Sequence, residues 1–129
     1  MNRTNLIPLA MTAAALIAGV TSCGDDDQAS GQPSDDPILT QGAEVYAQSC
    51  ASCHGADLRG TNQGPSHLSI VYEPNHHPDD AFRSAIANGA PQHHWTFGDM
   101  PPVDGLTDDD VDAVIAYVRS EQQRLGFEQ

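Results

Sequence analysis

Two thiols and an imidazole stand together in Cys50-Ala51-Ser52-Cys53-His54, and their spacing points to one chemistry. Cysteines three residues apart on one helical turn can both add to the vinyl groups of a single porphyrin. The histidine that follows then stands under the iron as a proximal ligand. The pattern has two rivals. A thioredoxin-like redox pair also uses Cys-x-x-Cys, but it needs a strand before it and a βαβ surround. Here the preceding residues have helical periodicity and a histidine follows directly. A zinc site usually wants a second Cys or His pair at finger-like spacing, and no second Cys pair exists. The motif predicts one covalent haem c, bound through Cys50 and Cys53 with His54 on the iron.

The other axial position decides what such a haem does. Met1 and Met11 lie in an N-terminal apolar segment, so Met100 is the only methionine beyond it. A lone methionine is by default a core filler, but Met100 precedes Pro101-Pro102 in a loop, which is a poor core position. It lies 46 residues after His54, enough chain to reach the other haem face. His93 and His94, beside the same loop, are the alternative sixth ligands. Otherwise His67, His76, His77, His93 and His94 are read as surface polar residues. Imidazoles suit copper, zinc and nickel, but adjacent histidines rarely point the same way, and no carboxylate or cysteine spacing completes a site.

Three helices and two connecting loops must position these residues. The first is predicted from Thr40 or Gln41 to Cys53, with Ala43, Tyr46, Ala47 and Cys50 at i, i+3, i+4, i+7. The second runs from about Pro78 to Asn88. Pro78 suits its first position, Asp79 and Asp80 its first turn, and Gly89 its stop; Phe82, Ala85 and Ile86 form the inward stripe. In the third, Thr107 and Asp110 make a capping-box-like pair and Leu106 can staple onto Val111. Val111, Val114, Ile115 and Val118 repeat at helical spacing, while Arg119 and Arg124 lie toward the negative C-terminal end. No stretch alternates as a strand. A domain this small gains from a staple, and a thioether-bonded haem would be one.

The N-terminus reads as an address. Asn2 and Arg3 precede an apolar stretch, Leu6 to Val20, that is shorter than the ~20 residues a bilayer span needs. It ends in Val20-Thr21-Ser22-Cys23, which resembles a bacterial lipobox. That resemblance implies an export signal over residues 1–22, cleavage before Cys23, diacylglyceryl attachment to Cys23 and a mature chain of 107 residues. An ordinary signal peptide with an incidental cysteine is the alternative. Residues 23–39, with Asp25-Asp26-Asp27 and Asp35-Asp36 among Ser, Gly, Gln and Pro, read as a flexible acidic tether. With lipid on Cys23 and haem on Cys50 and Cys53, no thiol remains for a disulfide. Lipid anchor and covalent haem agree on an extracytoplasmic location, the periplasm or the outer face of a bacterial cell membrane.

Lysine is absent, and beyond residue 22 four arginines face eighteen carboxylates, a net −14. Nucleic acid and anionic lipid are therefore poor partners for the domain itself. Partners should present basic or neutral surfaces, or the native medium is salty enough to screen the charge.

Over residues 40–126 the chain resembles small bacterial class I cytochromes c. The resemblance rests on Gly42 and Tyr46, Cys50 to Gly55, Gly64-Pro65 with Leu68, Gly89, Met100-Pro101-Pro102, and Leu106-Thr107 with Tyr117. It implies an all-α cytochrome c fold, about three main helices and loops wrapped around one covalently bound haem. Gly42 and Tyr46 would cross the last helix near Tyr117, Pro65 would offer its carbonyl to the His54 ring N–H, and Met100 would ligate through sulfur. Trp95 would hydrogen-bond a haem propionate, with a core aromatic as its alternative role. With His and Met bound, the iron has no open site and passes electrons; the soft thioether favours the ferrous state. The implied function is a monomeric, membrane-anchored electron carrier, not an enzyme, working between redox proteins such as a respiratory complex or dehydrogenase. Two alternatives stay open: a dedicated relay subunit of an oxidase, reductase or dehydrogenase, and a ligand-binding or sensing haem with a labile Met100 bond.

Overall fold

In the computed structural model, which describes residues 35–129, the first helix starts three or four residues before the periodicity predicted it. Helix α1 spans Pro37–Ser49. Asp36 is its N-cap, its carboxylate accepting from the Ile38 amide at 3.0 Å, and Pro37 fills the first turn, where a missing N–H costs nothing. Asp36 thus caps a helix instead of belonging to an unstructured acidic run. The helix also breaks before the haem motif. Cys50, at φ −119°, separates α1 from a single turn, α2, over Ala51–His54. The expected signal segment and Cys23 lie outside the described residues.

Helix α3 covers Asp79–Asn88, with Pro78 at the N-cap and Gly89 (φ 74°) ending it. Helix α4, Asp108–Leu125, begins with the full capping box: the Asp110 amide donates to Thr107 Oγ1 at 3.2 Å, and Asp110 Oδ2 accepts from the Thr107 amide at 3.0 Å. Ser69 caps a 3-10 turn at Ile70–Tyr72. Among the described residues no strand forms; isolated backbone bridges join Ser69 to Glu128 and Ala90 to Met100. No described helix is long and apolar enough to cross a membrane.

The α1–α4 crossing organises the core. Gly42 faces α4 so closely that a Cβ there would strike the Ala113 carbonyl and the Tyr117 Cβ. Tyr46 packs its ring against Tyr117, centroids 5.5 Å apart. Val114, Ile115 and Val118 supply the α4 side, joined by Ile86 of α3 and by Leu58 and Leu68 from the loop after α2. Arg119 lies mid-helix and does more than complement a dipole. Its guanidinium donates to the carbonyls of Tyr72 (2.7 Å) and His77 (2.5 Å), pairs with Asp79 at 2.7 Å, and lies over the Phe82 ring. One side chain clamps the loop before α3 onto α4.

Candidate functional site

Cys50, which caps α2, and Cys53 and His54 on its turn border a cavity of about 440 Å³. The preceding helix fixes that border. The Cys50 amide donates to the Tyr46 carbonyl at 2.9 Å and the His54 amide to Cys50 at 3.0 Å, so both thiols sit on a continuous hydrogen-bonded path. Tyr46 reaches around with its hydroxyl, donating to the Gly55 carbonyl at 3.0 Å. Cys50 and Cys53 form no disulfide with each other, which leaves both sulfurs for thioether bonds.

His54 is buried, with Nδ1 2.9 Å from the Pro65 carbonyl. A carbonyl only accepts, so Nδ1 carries the hydrogen and the neutral ring keeps its lone pair on Nε2. Burial pulls the His54 pKa down while the Pro65 bond opposes it, which favours the neutral form. This is the tautomer a metal-ligating histidine needs, held by a backbone acceptor as metal-binding histidines commonly are.

The loop after α3 closes the cavity from another direction. Ala90 and Met100 exchange backbone hydrogen bonds of 3.0 and 2.8 Å, which pins Met100 at the cavity while its side chain is half-buried. Gly89 permits this approach, since a Cβ there would press on the Met100 carbonyl. Trp95 lines the same cavity half-buried, its ring stacked on Tyr72 at 5.9 Å, so it is a rim residue and not a core aromatic. Phe82, Ile86, Val103, Val114, Ile115 and Val118 are among the apolar residues of the lining.

Cys50, Cys53, His54, Pro65, Trp95 and Met100 therefore all border one cavity. An apolar chamber with two thiols, a neutral imidazole and a thioether at its edges fits a haem. Residues 39–122 match the family described as Cytochrome c. The chain belongs to the cytochrome c family. Over 122 residues it is 33% identical to cytochrome c-551 of Bacillus subtilis strain 168, covering 91% of this chain and 96% of that one. A 33-residue segment is 52% identical to the cbb3-type cytochrome c oxidase subunit CcoP of Rhodobacter capsulatus, covering 26% of this chain and 11% of that subunit. The protein is a small monohaem class I cytochrome c of all-α fold; it carries covalently bound haem c, and its activity is electron transfer.

Of the histidines read as surface residues, His76, His93 and His94 are exposed, His77 is half-buried and His67 departs from that reading. His67 is 8% exposed and stacks on His54 with centroids 4.1 Å apart and planes 17° from parallel. Its Nδ1 has no hydrogen-bond partner, while its backbone carbonyl accepts from Gln122 at 2.7 Å. Burial, then His54 and Arg119, hold its pKa well below the usual histidine value. His67 is one residue before Leu68, itself fully buried, and strict alternation would have placed it outside. The only sequence signal was its closeness to Gly64-Pro65. The pairs His76-His77 and His93-His94, 17 residues apart in sequence, are gathered by the fold, His77, His93 and His94 at the cavity rim and His76 against His94.

Proposed function

We propose that this cytochrome is a lipid-anchored, extracytoplasmic carrier of single electrons whose haem is bonded through Cys50 and Cys53 and ligated by His54 and Met100. The observation that carries the reading is the convergence of all four side chains, with Pro65 and Trp95, on one apolar cavity. The haem supplies a reversible one-electron iron couple. The chain's residues do the rest: Pro65 orients His54, the Ala90–Met100 bridge presents the thioether, and the walls from α3 and α4 exclude water. Met100 is favoured over His93 and His94 because its backbone is pinned at the cavity. Those two rings instead engage His77 and His76. With both axial positions filled by the protein there is no site for substrate, and the protein is a carrier and not an enzyme.

Cys23 would hold the lipid, residues 24–35 would act as the tether, and the helical domain would begin at Asp36. The partners of this monomer are redox proteins with basic or neutral docking faces. Among the described residues all four arginines are already paired with carboxylates. The local likeness to an oxidase subunit favours a second reading, a relay dedicated to one respiratory complex. Co-purification of that complex with the cytochrome from detergent-solubilised membranes distinguishes the two.

Met100→Ala tests the ligation. It should abolish the weak far-red sulfur-to-iron band of the ferric protein, open the iron to carbon monoxide and lower the potential. Met100→His should stay six-coordinate and also lower the potential, since imidazole stabilises ferric iron better than a thioether. An unchanged spectrum in Met100→Ala excludes Met100 as the ligand. Carbon monoxide binding to the unaltered protein would favour a sensing haem. Mass spectrometry of the mature N-terminus tests the anchor; an unmodified Cys23 would refute it.

A further inference from the structure

The four histidines gathered at or beside the cavity rim are not used by the electron-transfer site. The loop before α3 supplies His76 and His77, and the loop after α3 supplies His93 and His94. One ring nitrogen from each of His76, His77 and His94 falls within 4.8 Å of the others. His76 Nε2 lies 3.2 Å from His94 Nε2, and His77 Nε2 lies 3.5 Å from His93 Nε2.

Proton accounting makes this more than a surface cluster. His77 Nδ1 is 2.7 Å from the Val71 carbonyl, and His93 Nδ1 is 2.8 Å from the Pro91 carbonyl. Both carbonyls only accept, so both Nδ1 atoms carry hydrogen. In the neutral rings both Nε2 atoms then hold lone pairs, and at 3.5 Å neither has a hydrogen to give the other. A cation between them resolves the conflict. Protonation of one of the two rings is the competing resolution, and it predicts no saturable binding of a metal ion.

The supports resemble those of metal-binding histidines, whose second nitrogen is fixed by a backbone or carboxylate acceptor. Imidazole nitrogens at the usual zinc distance in a tetrahedral site lie about 3.3 Å apart. The separations of 3.2 and 3.5 Å bracket that value. Arg119 holds the His77 carbonyl, so one half of the cluster is anchored to α4 before any ion arrives. The acidic chain raises the local concentration of divalent cations.

We propose that His76, His77 and His94, with His93 beside His77 as a further donor, bind one divalent transition-metal ion, of the zinc or copper class, at the rim of the haem cavity. The ion would cross-link the loop before α3 to the loop bearing Trp95 and Met100. Its positive charge beside the cavity would favour the reduced haem and raise the potential. The site requires that neither His93 nor His94 is the sixth haem ligand, and in that respect it rests on the proposed ligation by Met100.

Titration of the haem-loaded full chain with Zn²⁺, which is redox-silent, tests the site by calorimetry and by potentiometry. One chelator-reversible ion per chain and an upward potential shift are expected. His76→Gln and His94→Gln, both exposed positions, should each weaken binding at least about tenfold while leaving the haem spectrum intact. Met100→Ala should still bind Zn²⁺. Absence of saturable binding overturns the proposal, as does wild-type affinity in both histidine variants. Loss of the six-coordinate haem spectrum in His93→Gln or His94→Gln also overturns it, by making that histidine an iron ligand.

Discussion

On the side of Cys50, Cys53 and His54, the backbone from Tyr46 to Leu68 is tied to the core at many points. The Gly60 amide donates to His54 (2.7 Å), the Thr61 hydroxyl to Cys53 (2.7 Å) and the His67 amide to Leu58 (2.8 Å), while Leu58 and Leu68 are almost wholly buried. On the Met100 side, residues 91–99 are exposed apart from half-buried Trp95. That loop is held by the Ala90–Met100 pair at its base and by side-chain bonds such as Gln92 N–H to Asp99 (2.9 Å). Regions with few buried contacts open at lower free energy than the core. Attachment and ligand presentation are thus built with different rigidity, so damage to the first should cost the fold and damage to the second should cost only ligation.

Cys53→Ser breaks the rigid side most severely. Haem attachment should become partial or fail, and because the haem is the staple of a small domain, the yield of folded protein should fall sharply. Extraction into acid–organic solvent after denaturation measures the haem that remains bonded. Gly42→Ala strikes the same side without touching the haem. Its Cβ meets the Ala113 backbone, so α1 and α4 must separate, and denaturant unfolding should show a loss of about 1–3 kcal/mol. A wild-type midpoint would mean that the helix crossing is not the rigid element.

Gly89→Ala probes the looser side. It places a Cβ at φ 74° against the Met100 carbonyl, and the strain should cost about 1–2 kcal/mol. The effect should appear as carbon monoxide binding that the unaltered protein lacks, with a loss of global stability no larger than that strain. The smallest effect at neutral pH is expected from His67→Phe, which keeps a ring against His54 and removes an unpartnered nitrogen. Since the folded pKa of His67 is depressed, the unfolded chain binds the extra proton. The wild type should therefore lose stability as pH falls below about 6.5, by up to about 1.4 kcal/mol per pH unit. His67→Phe should flatten that slope; an unchanged slope would place the titration elsewhere.

Features set by neighbours in sequence were legible. Thr107 and Asp110 make a capping box because they are three apart, and Cys50, Cys53 and His54 border one cavity because a single turn and its cap carry them. Helix α1 was misplaced at both ends. Asp36 looked like the end of an acidic tether because its capping role depends on Pro37 and the chain after it, and the break at Cys50 leaves no trace in apolar spacing. His67 was misread because its burial comes from tertiary contacts with His54, Tyr72 and Phe82. The gathering of four histidines was invisible for the same reason. Two loops separated by a helix share no periodicity, and their meeting is decided by α3 and the Arg119 clamp.

The pairing of every described arginine with a carboxylate has a kinetic consequence. Two copies of this cytochrome meeting in solution present each other with fields of one sign and no fixed counter-charge to dock on. Electron self-exchange between them should be slow at low ionic strength and should quicken as salt shortens the Debye length from about 30 Å at 0.01 M to 10 Å at 0.1 M. Exchange with a basic partner should respond in the opposite sense. An acidic carrier of this kind keeps its electrons from wandering among its own copies, and the ionic strength of its surroundings sets how strictly.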